Sequence, residues 1–160
     1  MILSVHAVFG AGVGWETYRF TGNIPLSIAV AFASHYFLDL FPHTEYLESV
    51  QESVGSLQKR DGEKLGDAVK IDVDFLAGFL VVGLIARQPL LASVFAFTAL
   101  IPDGLTVVYL LKPLAFMTLH QRWHGDVIQY ITKQKRFPAW VGVATQVIAA
   151  ITGVALLIRP

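Results

Sequence analysis

Residues 137–158 read FPAWVGVATQVIAAITGVALLI, a run without one charged side chain. A bilayer-spanning helix needs about 20 predominantly apolar residues. Trp140, near one end, suits the amphipathic layer in which indoles anchor such spans. The stretch predicts a transmembrane helix, and the composition agrees with it. Of the 160 residues, 54% are hydrophobic and only 15% charged, with a mean hydropathy of +0.58; soluble domains carry about 25% charged residues. The formal net charge is zero, which argues against a nucleic-acid binder built on a basic face. There is no cysteine, so disulfides and thiolate metal ligands are excluded as well. The opening MILSVHAVFGAGVGWE has no basic n-region and carries His6 within its apolar run, so it reads as a structural segment rather than a cleaved signal.

Working outward, Ile24–Phe41 is long and apolar, with only His35 and Asp39 ionisable. Residues 71–86 (IDVDFLAGFLVVGLIA) turn apolar after their first turn and close at Arg87. Gln88-Pro89 then breaks the chain, and Pro89 suits a first helical position. Apolar character runs on from Leu90 to Leu111, interrupted by Pro102-Asp103. Ile2–Val13 is shorter and rich in glycine, which permits close helix packing in lipid. Residues 44–70 are polar and of mixed sign, with Gly55, Gly62 and Gly66 as breakers, and predict a surface loop with one short helix over 45–57. The fold class expected is all-α: a polytopic integral-membrane bundle of about five spans, one domain over residues 1–160. Alternating spans put Lys59, Arg60, Lys64, Lys70, Lys112, Arg122, Lys133, Lys135 and Arg136 on the N-terminal side, nine of the twelve basic residues, against Arg19, Arg87 and Arg159 opposite. The positive-inside rule makes that richer side cytoplasmic and the membrane a bacterial-type inner membrane.

The same alternation gathers all five histidines at that side. His35, Asp39 and His43 lie at i, i+4 and i+8 in HYFLDLFPH, one face of a helix, with Pro42 placed to end it and turn His43 back. His120 and His124 repeat the i, i+4 spacing in HQRWHGD, a pair able to grip one ion from a single helix. A carboxylate at membrane depth costs several kcal/mol unless paired or facing a cavity, so Asp39 and Asp74 call for a partner. Imidazole and carboxylate suit divalent zinc, iron or manganese. His6 alone fits a hydrogen-bonded core histidine as well as a ligand. Asp103, after Pro102, fits a first-turn acid as well as a ligand. Asp72 and Asp74, two apart, face different ways, and Asp74 is the one expected to point inward.

These pieces resemble a known family. HAVFG (6–10), HYFLDLFPH (35–43), DVDFLAG (72–78), IPD (101–103) and HQRWH (120–124) occur in the order seen in the YdjM-like inner-membrane proteins, described as membrane-bound, metal-dependent hydrolases. The chain departs from that pattern at its last motif, where the histidines are four rather than five apart and no Thr-His-Ser follows. The resemblance implies a small helical membrane protein with a His/Asp metal site and hydrolase activity. The expected ligands are His6, His35, Asp39, His43, Asp74, Asp103, His120 and His124, holding one to three divalent ions, zinc first. Asp103 or Asp72 is the expected general base. A metal-activated water would attack a phosphoester or carboxylic ester, such as a membrane lipid's, at the cytoplasmic surface. The competing expectation is a non-catalytic membrane protein whose metal is structural or ion-handling.

Overall fold

Several helix ends fall where the sequence supplies a reason. In the computed structural model, which describes residues 2–43, 61–112, 114–124 and 137–159, six helices and no strand occur among the described residues. Helix α1 (Leu3–Thr21) ends at Gly22, whose φ of 66° is the left-handed conformation that lets its N–H reach Tyr18 O. Helix α2 (Ile24–Asp39) starts at Asn23, whose side-chain oxygen accepts the Leu26 N–H at 2.9 Å, with Pro25 in the first turn. Helix α3 spans Asp61–Ile85, and helix α4 (Pro89–Leu111) begins on the expected proline and carries Pro102 inside it. Helix α5 (Ala115–Gln121) continues through one π turn at 122–124, and helix α6 is Ala139–Ile158.

Helix α1 packs against α2, α3, α4 and α6 and so forms the axis of the bundle. Small residues make this possible. A Cβ on Gly12 would lie 2.6 Å from Gly153 O, and one on Gly153 would lie 2.6 Å from Val8 O, so α1 and α6 meet backbone to backbone. Ala7, Ala11, Ala92, Ala96 and Ala99 are fully buried around the same axis.

The expected loop over 44–70 needs correction at its end. Residues 61–70 are the first turns of α3, ten residues ahead of the expected start at Ile71. Gly62 and Gly66 do not stop the helix, because a glycine within a helix costs only about 1 kcal/mol against alanine and the apolar second half is anchored in the bundle. The short helix expected at 45–57 lies outside the described residues.

Two helical segments, Pro89–Tyr109 and Ala139–Ile158, are long and apolar enough to cross a membrane, and Ile24–Asp39 is a shorter apolar helix. Of the about five spans expected, these two have the length and composition of one. Helix α1 carries Glu16 and Arg19, and the first half of α3 carries Lys70, Asp72 and Asp74. Large apolar side chains line the outside of three helices, beside an apolar core that also holds polar groups. Leu76, Leu80 and Leu84 form an outward stripe on α3, Leu90, Val94, Phe97 and Ile101 one on α4, and Trp140, Val143, Val147 and Ile151 one on α6. His6, Ser27, His35, Asp39, Asp103, Thr106 and Gln146 are buried inside.

Candidate metal centre

The last two turns of α2 set His35 and Asp39 on one face, as their spacing requires, with His35 Nε2 3.2 Å from Asp39 Oδ2. From α5, His124 Nε2 reaches the same oxygen at 2.8 Å and His35 Nε2 at 3.1 Å. From α4, Asp103 Oδ1 lies 3.5 Å from His35 Nε2 and 4.0 Å from His124 Nε2. A tetrahedral zinc with bonds of roughly 2.0–2.1 Å places its donors roughly 3.3 Å apart. His35, Asp39 and His124 match that spacing, and Asp103 stands slightly off as a looser fourth donor. All four residues are buried.

The outer contacts of the imidazoles decide what their inner nitrogens offer. His35 Nδ1–H donates to Ala99 O at 2.8 Å, since a carbonyl can only accept. Thr106 Oγ1 donates to Pro102 O at 3.3 Å and therefore accepts from His124 Nδ1–H, also at 3.3 Å. A neutral imidazole with its proton on Nδ1 presents a lone pair at Nε2. Two lone pairs thus face each other across 3.1 Å, with a carboxylate oxygen against both. Buried and away from water, that arrangement is repulsive until a cation, either a metal ion or added protons, occupies its centre. Outer partners that fix the tautomer in this way are typical of metal-ligating histidines. The carbonyls of Ala99 and Pro102 serve as the outer anchors, that of Pro102 through Thr106.

The remaining expected residues divide. His6 on α1 is stacked on His35, with ring centroids 4.0 Å apart, and its Nε2 lies 3.2 Å from Asp39 Oδ1. His43 lies just beyond the end of α2, as Pro42 suggested; its Nδ1–H donates to Phe41 O at 2.6 Å and its Nε2 is 3.8 Å from Asp39 Oδ1. The side chain of Thr145 bonds Pro42 O and ties this turn to α6. His120 stands outside the His35–Asp39–His124 triangle. Its Nε2–H donates to Pro102 O at 3.0 Å and its Nδ1 accepts from Tyr36 OH at 3.3 Å. The two rings remain neighbours, with centroids 5.4 Å apart, but only His124 turns a nitrogen to the carboxylates. Burial lowers the His120 pKa below the ordinary imidazole value, in keeping with a neutral ring that donates at one nitrogen and accepts at the other.

Asp74 and Asp72 are corrected. Asp74 accepts from Ser4 N–H at 3.2 Å and from Ser4 Oγ at 2.5 Å. Helix α1 has Ile2 at its N-cap and no acid in its first turn, so the carboxylate from α3 satisfies the positive helix end instead. Asp72 is exposed and belongs to neither buried donor group among the described residues. Asp74→Ala should therefore lower stability by about 1–2 kcal/mol, the range of a lost cap. Bound metal should stay unchanged, which thermal melting beside elemental analysis would check. Sequence reading missed Tyr36, Thr106 and Ser4. Thr106 had a signal, lying one turn beyond Pro102-Asp103.

No family model, no curated protein and no solved structure matches the chain.

Proposed function

We propose that this chain is an integral-membrane, metal-dependent hydrolase of the YdjM-like kind, holding a divalent ion, zinc first, on His35, Asp39, His124 and Asp103. The reading rests on one observation: two Nε2 lone pairs, 3.1 Å apart and fixed by their outer hydrogen bonds, converge with Asp39 Oδ2 in a buried site. The apolar stripes facing outward on α3, α4 and α6 support placement of the bundle in lipid; about five spans, with the metal site on the cytoplasmic side of an inner membrane, rest on the distribution of basic residues in the sequence. A bound divalent ion supplies Lewis acidity, lowering the pKa of water and polarising an ester oxygen. The chain's own part is positional. His35, His124 and Asp39 make the tight triangle, and the looser Asp103, whose Oδ2 is buried with no hydrogen-bond partner among the described residues, is placed to accept a proton. Exposed Lys112 and Arg122 supply positive charge for an anionic lipid headgroup.

A structural, non-catalytic metal is the second reading, favoured by how completely the donors are enclosed: His35 is 0% and Asp39 1% exposed. A screen of chromogenic phosphodiesters and carboxylic esters in detergent separates the two. Hydrolysis that is lost on chelation and restored by zinc is expected for the enzyme; metal retained without turnover of either ester class supports the structural role.

A further inference from the structure

Helix α5 is too short to span a membrane, yet it turns large apolar side chains outward. Its seven residues, Ala115–Gln121, cover about 10 Å at 1.5 Å per residue, against the roughly 30 Å of a bilayer core. Residues 115–124 present three faces. Met117 and His124 are buried, and His120 between them donates to Pro102 O, so this face lies against the bundle. One residue back, about 100° around the helix, Phe116, Leu119 and Trp123 are 63%, 61% and 57% exposed. The third face carries Thr118 and the exposed Ala115 and Arg122. Lys112, just ahead of the helix, is exposed as well, and residues 112–124 contain no acid. Among the described helices, α4 alone makes more than slight contact with α5. Helices this short do not persist by themselves in water. A helix with Trp, Phe and Leu on one face and cations beside it suits the headgroup layer, its apolar side about 5–10 Å into the acyl boundary.

We infer that α5 is an interfacial helix docked on an anionic phospholipid surface, with Phe116, Leu119 and Trp123 in the acyl boundary and Lys112 and Arg122 at the phosphates, and that this docking holds the segment carrying His124 in place. The inference rests on the reading of the bundle as lipid-embedded and needs no bound metal. Charge favours lipid over a second copy of the chain: the face is flanked by cations and by no acid, whereas the chain as a whole has zero net charge and no anionic excess to offer. The neighbouring aromatic side chains agree. Trp140, 71% exposed, starts α6 at the end that Thr145 ties to Pro42, so a second indole stands at the site end of the bundle.

The chain has no cysteine, so Leu119→Cys and, on the outward stripe of α6, Ile151→Cys each take a single nitroxide label. The full chain is reconstituted without metal in vesicles of phosphatidylglycerol and phosphatidylcholine, and electron paramagnetic resonance compares collisions with oxygen and with a water-soluble nickel chelate. Both labels should favour oxygen. A label at 119 that favours nickel, while 151 favours oxygen, would overturn the docking and leave the membrane placement standing; nickel preference at both would overturn both. A label at 119 shielded from oxygen and nickel alike would mean that protein covers the face, and would also overturn the docking. Amide hydrogen exchange reads the hold. Residues 115–124 should exchange about tenfold faster in Leu119→Glu than in wild type. They should also exchange faster in wild type moved to pure phosphatidylcholine vesicles, with α6 unchanged in both comparisons. Equal exchange of 115–124 in either comparison would overturn the claim that anionic lipid holds the helix.

Discussion

Asp39→Asn should weaken zinc binding by at least about 100-fold, beyond the 10–100-fold that losing an outer-shell partner typically costs. The side chain is nearly isosteric, but it loses the charge and one of the two oxygens that His6, His35, His43 and His124 face. The effect on stability carries equal information because its size differs between the two cations that could fill the centre. If protonated imidazoles neutralised Asp39, the substitution would break a buried ion pair and cost about 3–5 kcal/mol without any metal. If a metal ion neutralises it, the metal-free wild type already carries an uncompensated carboxylate among lone pairs. Removing that charge should then leave the metal-free protein within about 1 kcal/mol of its parent. Chelator-competition titration reads the first effect and thermal melting of stripped protein the second.

Gly153→Leu should have the largest effect on the fold itself. At this position the obstruction is backbone, since an added Cβ would meet Val8 O at 2.6 Å and Phe9 Cα at 2.8 Å. Helix α1 cannot retreat without opening its contacts with α2, α3 and α4, and α1 carries His6. Overpacking a tight core costs about 1–3 kcal/mol and more where side-chain rotation cannot relieve it. About 3 kcal/mol corresponds to a melting point lowered by roughly 6–12 °C in a chain of this size. Gly83 makes the control: nothing lies within 4 Å of its added Cβ, so Gly83→Ala should leave the melting point unchanged or slightly raised. Equal losses at both positions would mean that the α1–α6 contact has no special role.

Much of the site could be read from short-range rules. The i, i+4 spacing of His35 and Asp39 is a property of any helix, and Pro42 made the return of His43 predictable. The helical class followed from apolar runs of bilayer length. What could not be read depended on distances between helices or on local departures from regular geometry. Asp74 looked like a ligand because it is acidic in an apolar helix; its partner, the uncapped start of α1, lies 70 positions away in sequence. His120 and His124 looked like one grip from their spacing, whereas the nitrogens of His120 go to Tyr36 and Pro102 and only His124 faces the carboxylates. The early start of α3 was hidden by glycines that mark breaks in isolated helices but not in one anchored further along.

Anomalous scattering at the zinc edge, from crystals of zinc-loaded protein, tests the central claim most directly. A peak bounded by His35 Nε2, His124 Nε2 and Asp39 Oδ2, absent from Asp39→Asn crystals grown alike, is the predicted result. Well-ordered side chains at those three positions with no anomalous density between them would contradict it.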